Sequence, residues 1–172
     1  MKIEIRLLSK ADDTNFFDCG TVELNQFLKQ FAKQNQFKHY IGVTYVALAD
    51  NKNIGYVSVS SSSIRIDVLS STDTKYLPKY PLPILRLTRL AIDNEYQNKG
   101  IGTVLLKFVL KLTLEQKEKF GCFGLLVDAK EDSVGFYEKF GFKSFSPTSG
   151  NLDIRPYAKS LFMTTRVIEK GL

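Results

Sequence analysis

The chain has 172 residues, a formal net charge of +6, 44% hydrophobic and 24% charged residues; this is the balance of one folded globular domain and excludes a disordered chain. Two cysteines without a CxxC spacing and a single histidine give no disulfide framework, argue against a zinc centre and rule out a multi-histidine catalytic design, so no metal is expected. The positive balance favours an anionic partner without choosing between a phosphate-rich cofactor, an RNA and plain solubility, and no apolar run approaches the roughly 18 residues of a membrane span.

Lys2 to Leu8 alternates polar and apolar residues and predicts a first strand, not the apolar core of a signal peptide. With the reduced cysteines this gives a cytoplasmic expectation. After a turn-rich connector at Thr14 to Gly20, Leu24, Phe27, Leu28, Phe31 and Ala32 recur at helical spacing and predict an amphipathic helix over Glu23 to Phe37. Val43 to Ala49 and Ile54 to Ser60 are strand-like, and Asp50-Asn51-Lys52-Asn53 between them predicts a hairpin. The serine run from Ser60 leads into Ile64 to Val68 and reads as a continuing strand or a bulge.

Ser70 to Pro83, with three prolines close together, reads as a loop, either substrate-facing or a rigid connector. Ile84 to Ile92 predicts a strand and Gly102 to Glu118 a long helix. Phe123 to Asp128 predicts a strand, and Ser133 to Phe140 a short helix stopped by Gly141. Phe142 opens another strand, and Leu161 to Val167 predicts a last one. A strand–helix–strand segment in the second half implies a parallel pair, and the meander before it makes the sheet mixed.

Between strand and long helix lies Gln97-Asn98-Lys99-Gly100-Ile101-Gly102. The first amides of a helix have no internal partners and sit at the positive end of its dipole, so a phosphate there meets several donors at once. Two glycines let the backbone approach closely, and Lys99 adds a full charge. Neither a Rossmann nor a Walker fingerprint is present. Alone, the glycines read equally well as a tight turn.

Their surroundings decide between these readings. Leu87-Thr88-Arg89-Leu90-Ala91-Ile92-Asp93, then Tyr96 to Gly102, then Leu105-Leu106, resemble the acetyl-CoA signature of the GNAT acetyltransferases. Phe136-Tyr137-Glu138-Lys139-Phe140-Gly141-Phe142 is similar to that family's second signature, FYxxxGF. The resemblance implies an α/β (α+β) fold: one N-acetyltransferase domain over 1–172, with a mixed central sheet splayed at the cofactor site and flanked by helices. The acetyl-CoA-binding core is expected over about residues 84–145.

The resemblance further implies that Leu90, Ala91 and Ile92 pair with the cofactor's amides. The amides of Gln97, Asn98, Lys99, Gly100, Ile101, Gly102 and Thr103 would hold its pyrophosphate, and Phe136 joins the cofactor-binding set. Tyr137 matches the tyrosine that serves many of these enzymes as general acid to the CoA sulfur; its ring also reads as a core aromatic beside Phe136. An amide near Ala91 to Ile92 would supply the oxyanion donor. No general base is singled out. Where many GNATs carry Asn seven residues before the tyrosine, this chain has Lys130.

The stretches Phe17-Asp18-Cys19-Gly20, Leu24 to Leu28 with Ala32, and Tyr80-Pro81-Leu82-Pro83 leading into Leu85 to Ala91 resemble the toxin branch of the family. That branch acetylates the α-amino group of aminoacyl-tRNA, is neutralised by ribbon-helix-helix antitoxins and forms homodimers. Arg86 and Arg89 are then the substrate candidates on the strand; they could instead serve only the cofactor's phosphates. A small-molecule amine or a protein N-terminus is the alternative acceptor, and a catalytically silent acyl-CoA- or RNA-binding module is the alternative from another class. Cys19 reads as a small buried residue and His39 as structural or exposed.

Overall fold

The computed structural model describes residues 1–65, 76–144 and 158–172. Its strands form one seven-stranded mixed sheet in the order β1-β2-β3-β4-β5-β7-β6. They are β1 (Glu4–Leu7), β2 (Val43–Ala49), β3 (Lys52–Ile64), β4 (Leu82–Ile92), β5 (Gly124–Lys130), β6 (Lys143–Ser144) and β7 (Ala158–Thr164). The helices are α1 (Val22–Gln26), α2 (Ala32–Phe37), α3 (Ile101–Phe120), α4 (Val134–Lys139) and α5 (Thr165–Gly171). By contact density the chain divides into two compact units. One comprises Met1–Ser60 with Leu87–Val109, the other Ser61–Arg86 with Leu110–Leu172. Among the described residues no helix is long and apolar enough to cross a membrane.

In the first unit the expected hairpin forms. Asp50 and Asn51 both take left-handed φ, 49° and 63°. This gives the two-residue turn whose twist matches the strands it joins, and it pairs Ala49 with Lys52. β3 runs on through the serines to Ile64, so the run is strand; Ile66 to Val68 lie outside the described residues. Gly55 is required by packing: a Cβ there would stand 3.0 Å from the Ala91 carbonyl oxygen and 3.2 Å from Leu105 Cδ1. The β3 backbone can therefore lie close against the end of β4 and the start of α3.

The predicted first helix is interrupted. Between α1 and α2, Phe27–Phe31 is a π-helical turn in which the Ala32 amide donates to the Phe27 carbonyl, five residues back. The widened turn rotates the later residues. Phe27, Leu28 and Ala32 stay buried, whereas Phe31, expected in the apolar stripe, is 43% exposed. The buried face packs with Leu8, Phe17, Cys19, Val46, Tyr56 and Ala91 into one core cluster.

In the second unit β5 pairs antiparallel with β7 from Gly124↔Thr164 to Lys130↔Ala158, and β6 pairs with the other edge of β7. Ile64, Leu82, Ile84, Leu126 and Phe162 form its core cluster. Two expectations are corrected here. The strand after the proline-rich stretch starts at Leu82, because Pro83 is exposed near the strand's first residue and its carbonyl still accepts from the Phe123 amide at 2.7 Å. The last strand ends at Thr164, and Thr165 to Val167, expected to extend it, open α5. Ladder pairing with β5 stops at Gly124↔Thr164; beyond the Thr165 amide, which still donates to the Phe123 carbonyl at 2.9 Å, the backbone groups find partners within a helix. That helix is capped by the Thr164 hydroxyl, and the Thr165 hydroxyl anchors it on the Cys122 carbonyl at 2.7 Å.

Candidate active site

The β4–loop–α3 segment of the first unit builds an anion-ready turn. Asp93, buried, ends the strand: its amide donates to the Ile54 carbonyl at 3.0 Å and its carboxylate accepts from the Glu95 amide at 3.1 Å. The same carboxylate accepts from the Asp18 amide at 3.2 Å, joining the loop to the Phe17–Gly20 connector. Gln97 adds a second tie. Its side-chain nitrogen lies 3.1 Å from the Cys19 carbonyl and 3.0 Å from that of Ile92. The Gln97 side chain thus braces the loop, leaving only its amide for a ligand.

Asn98 and Gly100 turn the chain through left-handed φ of 59° and 79°. The first helical bond of α3 is Val104 N–H to the Gly100 carbonyl, at 3.2 Å. The amides of Ile101, Gly102 and Thr103 therefore precede the helix's own bonding and stand at the positive end of a 20-residue helix. Nothing lies within 4 Å of a Cβ built on Gly100. The Lys99 ammonium donates to the Glu95 carbonyl at 2.7 Å and lies 5.1 Å from the centre of the Tyr96 ring, keeping its charge on the loop.

At the end of β4, the Asp93 amide bonds to β3 and the Ala91 carbonyl faces Gly55 of β3. Backbone groups alternate in direction along an antiparallel pair. Those of Leu90 and Ile92 therefore point to the opposite edge of the strand, where Gln97 takes up the Ile92 carbonyl. Of the three residues expected to face the cofactor, Leu90 and Ile92 direct their amides to the edge away from β3, and Ala91 is turned to β3.

The two arginines of β4, three residues apart, leave opposite faces of the strand. Arg89 in the first unit lays its guanidinium 3.7 Å above the ring of Phe27. Arg86 in the second forms a two-pronged ion pair with Asp128, Nε to Oδ2 at 2.8 Å and Nη2 to Oδ1 at 3.1 Å. The Asp128 side chain is only 6% exposed. Asp128 was not singled out in the sequence; the one trace of it there is a carboxylate closing an apolar run.

Tyr137 lies in α4 of the second unit and is 5% exposed, with Phe136 and Phe142 set edge-on at 5.1 and 5.7 Å. The helix closes behind it: the Phe140 and Phe142 amides donate to the Tyr137 carbonyl, and Gly141 takes φ 97°. Burial pushes the phenol well above the ordinary tyrosine range, and the negative charge of Asp128 pushes the same way. The hydroxyl therefore keeps its proton at neutral pH. Lys130, at the departure from the family pattern, is half-buried at the end of β5. Cys19 is buried with its thiol pushed up by burial, and His39 is exposed.

A family model of the acetyltransferase (GNAT) domain matches residues 16–156. A tRNA-acetylating toxin of Mycobacterium tuberculosis is 30% identical over 146 residues, which cover 83% of this chain and 85% of that one. Among solved structures, AtaT complexed with acetyl-methionyl-tRNAfMet superposes with a TM-score of 0.84 at 28% identity, over 98% of both chains. A tyrosine-to-phenylalanine mutant of AtaT, bound to the C-terminus of the antitoxin AtaR and acetyl-CoA, gives 0.75 at 26% identity, over 99% of this chain and 97% of that one. With the strand–loop–helix turn and the FYxxxGF segment both in place, the chain belongs to the GNAT acetyltransferase family.

Proposed function

We propose that the protein is an acetyl-CoA-dependent N-acetyltransferase, one domain over 1–172, whose acceptor is the α-amino group of aminoacyl-tRNA, so that it acts as a toxin inhibiting translation. The observation that carries the donor half is the turn at Asn98–Thr103, where three amides precede the bonding of α3 at the positive end of its dipole. The acceptor half is supported by likeness over nearly the whole chain to AtaT in complex with acetyl-methionyl-tRNAfMet.

In this reading the amides from Gln97 to Thr103 hold the pyrophosphate, with Lys99 adding charge. Leu90 and Ile92 offer backbone groups to the pantetheine arm, and Phe136 packs beside it. Bound acetyl-CoA supplies an acyl group activated as a thioester. The Ile92 amide stabilises the oxygen that gains charge as the amine attacks. Tyr137 gives its phenolic proton to the departing sulfur, and the proton that the attacking nitrogen sheds as the amide forms restores the phenol. An α-amino group has a pKa near 8, so a neutral fraction attacks without a base from the protein. The reading brings with it a ribbon-helix-helix antitoxin, a homodimer and a cytoplasmic setting.

Labelled acetyl-CoA supplied with charged tRNA is expected to put label on the aminoacyl group. Label on free amines or protein N-termini alone would replace the acceptor; no transfer to any amine would leave a silent binding module. For the loop, Gly100→Val is expected to weaken acetyl-CoA binding roughly 5- to 30-fold by calorimetry. The cost comes from the left-handed backbone, about 1–2 kcal/mol for a residue with a Cβ, since no protein atom stands in the way. Unchanged affinity would remove the loop from the cofactor site.

A further inference from the structure

We propose that Asp18 and Asn25 are positioning residues for acetyl-CoA: together they lock the Asp18–Gly20 turn into a bracket that holds the pyrophosphate loop in its ligand-ready shape before the cofactor arrives. This rests on the donor reading of the loop given above. Both residues belong to stretches, Phe17-Asp18-Cys19-Gly20 and Leu24 to Leu28, for which acetyl transfer itself has no use.

Phe17 and Cys19 are buried in the core cluster and Asp18 between them is exposed, so alternate residues fix the turn to the first unit. Three hydrogen bonds then join it to the loop that begins 75 positions along the chain. The Asp18 amide donates to Asp93 Oδ2 at 3.2 Å, and the Asn94 amide donates to the Asp18 carbonyl at 2.8 Å. The Gln97 side chain donates to the Cys19 carbonyl at 3.1 Å. On the turn's side all three partners are backbone groups. The loop is therefore placed by the shape of the turn.

That shape is made by the side chains of Asp18 and Asn25. Asp18 Oδ1 accepts from the Gly20 amide at 2.8 Å and from Asn25 Nδ2 at 2.7 Å, while Asn25 Oδ1 accepts from the Cys19 amide at 2.9 Å. Both ends of the Asn25 side-chain amide are thus used on the turn. Asn25 is itself held by its backbone amide, which donates to the Thr21 carbonyl at 3.0 Å in the first turn of α1. Gly20 closes the bracket at φ 79°, where a Cβ would also stand 3.0 Å from the Asn94 side chain. The Gly20 amide, and after it Asn25, hold the Asp18 carboxyl below the ordinary carboxylate range, so it stays an acceptor at neutral pH.

Neither residue is what its immediate setting asks for. Alanine is the better helix former at position 25. An exposed carboxylate beside a phosphate-binding loop works against the anion. Their use lies in the bonds they make to the turn. A loop that holds the right shape for only a fraction of the time binds its ligand more weakly by that fraction. Loosening the bracket lowers the fraction in the free protein.

Three variants test this. Asn25→Ala removes both bonds from α1 to the turn, Asp18→Ala removes the shared acceptor, and Asp18→Asn keeps an acceptor oxygen without the charge. Calorimetry with acetyl-CoA is expected to show roughly 5- to 20-fold weaker binding for the two alanine variants, the worth of one or two hydrogen bonds. Asp18→Asn should bind near the parent's affinity. Hydrogen exchange in the ligand-free protein should quicken at residues 93–104 in both alanine variants, stay unchanged in β5 and β7, and return to the parent's level under saturating acetyl-CoA. Parent-like affinity in Asn25→Ala overturns the proposal. So does equal behaviour of Asp18→Ala and Asp18→Asn, which would make the charge the only issue. Exchange that quickens throughout the chain, or weaker binding with no change in the loop, overturns it as well. Should Asn25→Ala fail to fold, Asp18→Ala against Asp18→Asn carries the same comparison. A parent that does not bind acetyl-CoA, or Gly100→Val binding it as the parent does, would instead bring down the donor reading, and this proposal with it.

Discussion

Tyr137→Phe is expected to lower turnover by about 10²- to 10⁴-fold, the usual range for a lost general acid, and to leave acetyl-CoA affinity near that of the parent. The ring stays, so its edge-on contacts with Phe136 and Phe142 survive, and the melting temperature should hardly move. Rapid-mixing turnover at saturating acetyl-CoA, with calorimetric affinity beside it, separates the two effects. Parent-like turnover would reduce Tyr137 to a core aromatic.

The pH profile gives the same assignment a second, independent reading. The active form of a general acid is protonated, and burial and Asp128 both raise the Tyr137 phenol. Activity should therefore rise with pH as the acceptor amine loses its proton, and should fall only above the ordinary tyrosine range near 10. Asp128→Asn removes one of the two causes. The phenol then ionises more easily, and the falling limb moves to lower pH. A limb that stays in place would mean that the carboxylate does not govern the acid.

Arg86→Met is expected to cost about 3 kcal/mol of stability, the lower end for breaking a buried pair because Arg86 itself keeps some exposure. For a chain of this size that is a drop of roughly 5–10 °C in melting temperature. The loss comes from the Asp128 carboxylate, left almost fully buried without the fork that held it at 2.8 and 3.1 Å. Adding Asp128→Leu to Arg86→Met should recover most of the loss, since two apolar groups leave no charge behind. A single variant as stable as the parent would show the pair to be energetically idle.

The features legible in the chain alone lie within short contiguous stretches. The alternation of Val43 to Ala49 and of Ile54 to Ser60, with Asp50-Asn51 between them, specifies a hairpin because strand period and turn chemistry are local properties. The glycine turn before α3 and the stop at Gly141 after α4 were legible for the same reason, and the two motifs carried the family. The π turn was hidden, since the apolar stripe of an ordinary helix and that of a widened one differ only in what they pack against. The two arginines of β4 look alike in the chain, yet one meets Phe27, 62 positions earlier, and the other Asp128, 42 positions later. The last residues read as strand until the partner strand ends at Gly124, and only then does a helix satisfy their backbone. Each of these outcomes depends on which distant residue arrives as a neighbour, and pairing at that range is decided by the packing of the whole sheet, which no local window of residues contains.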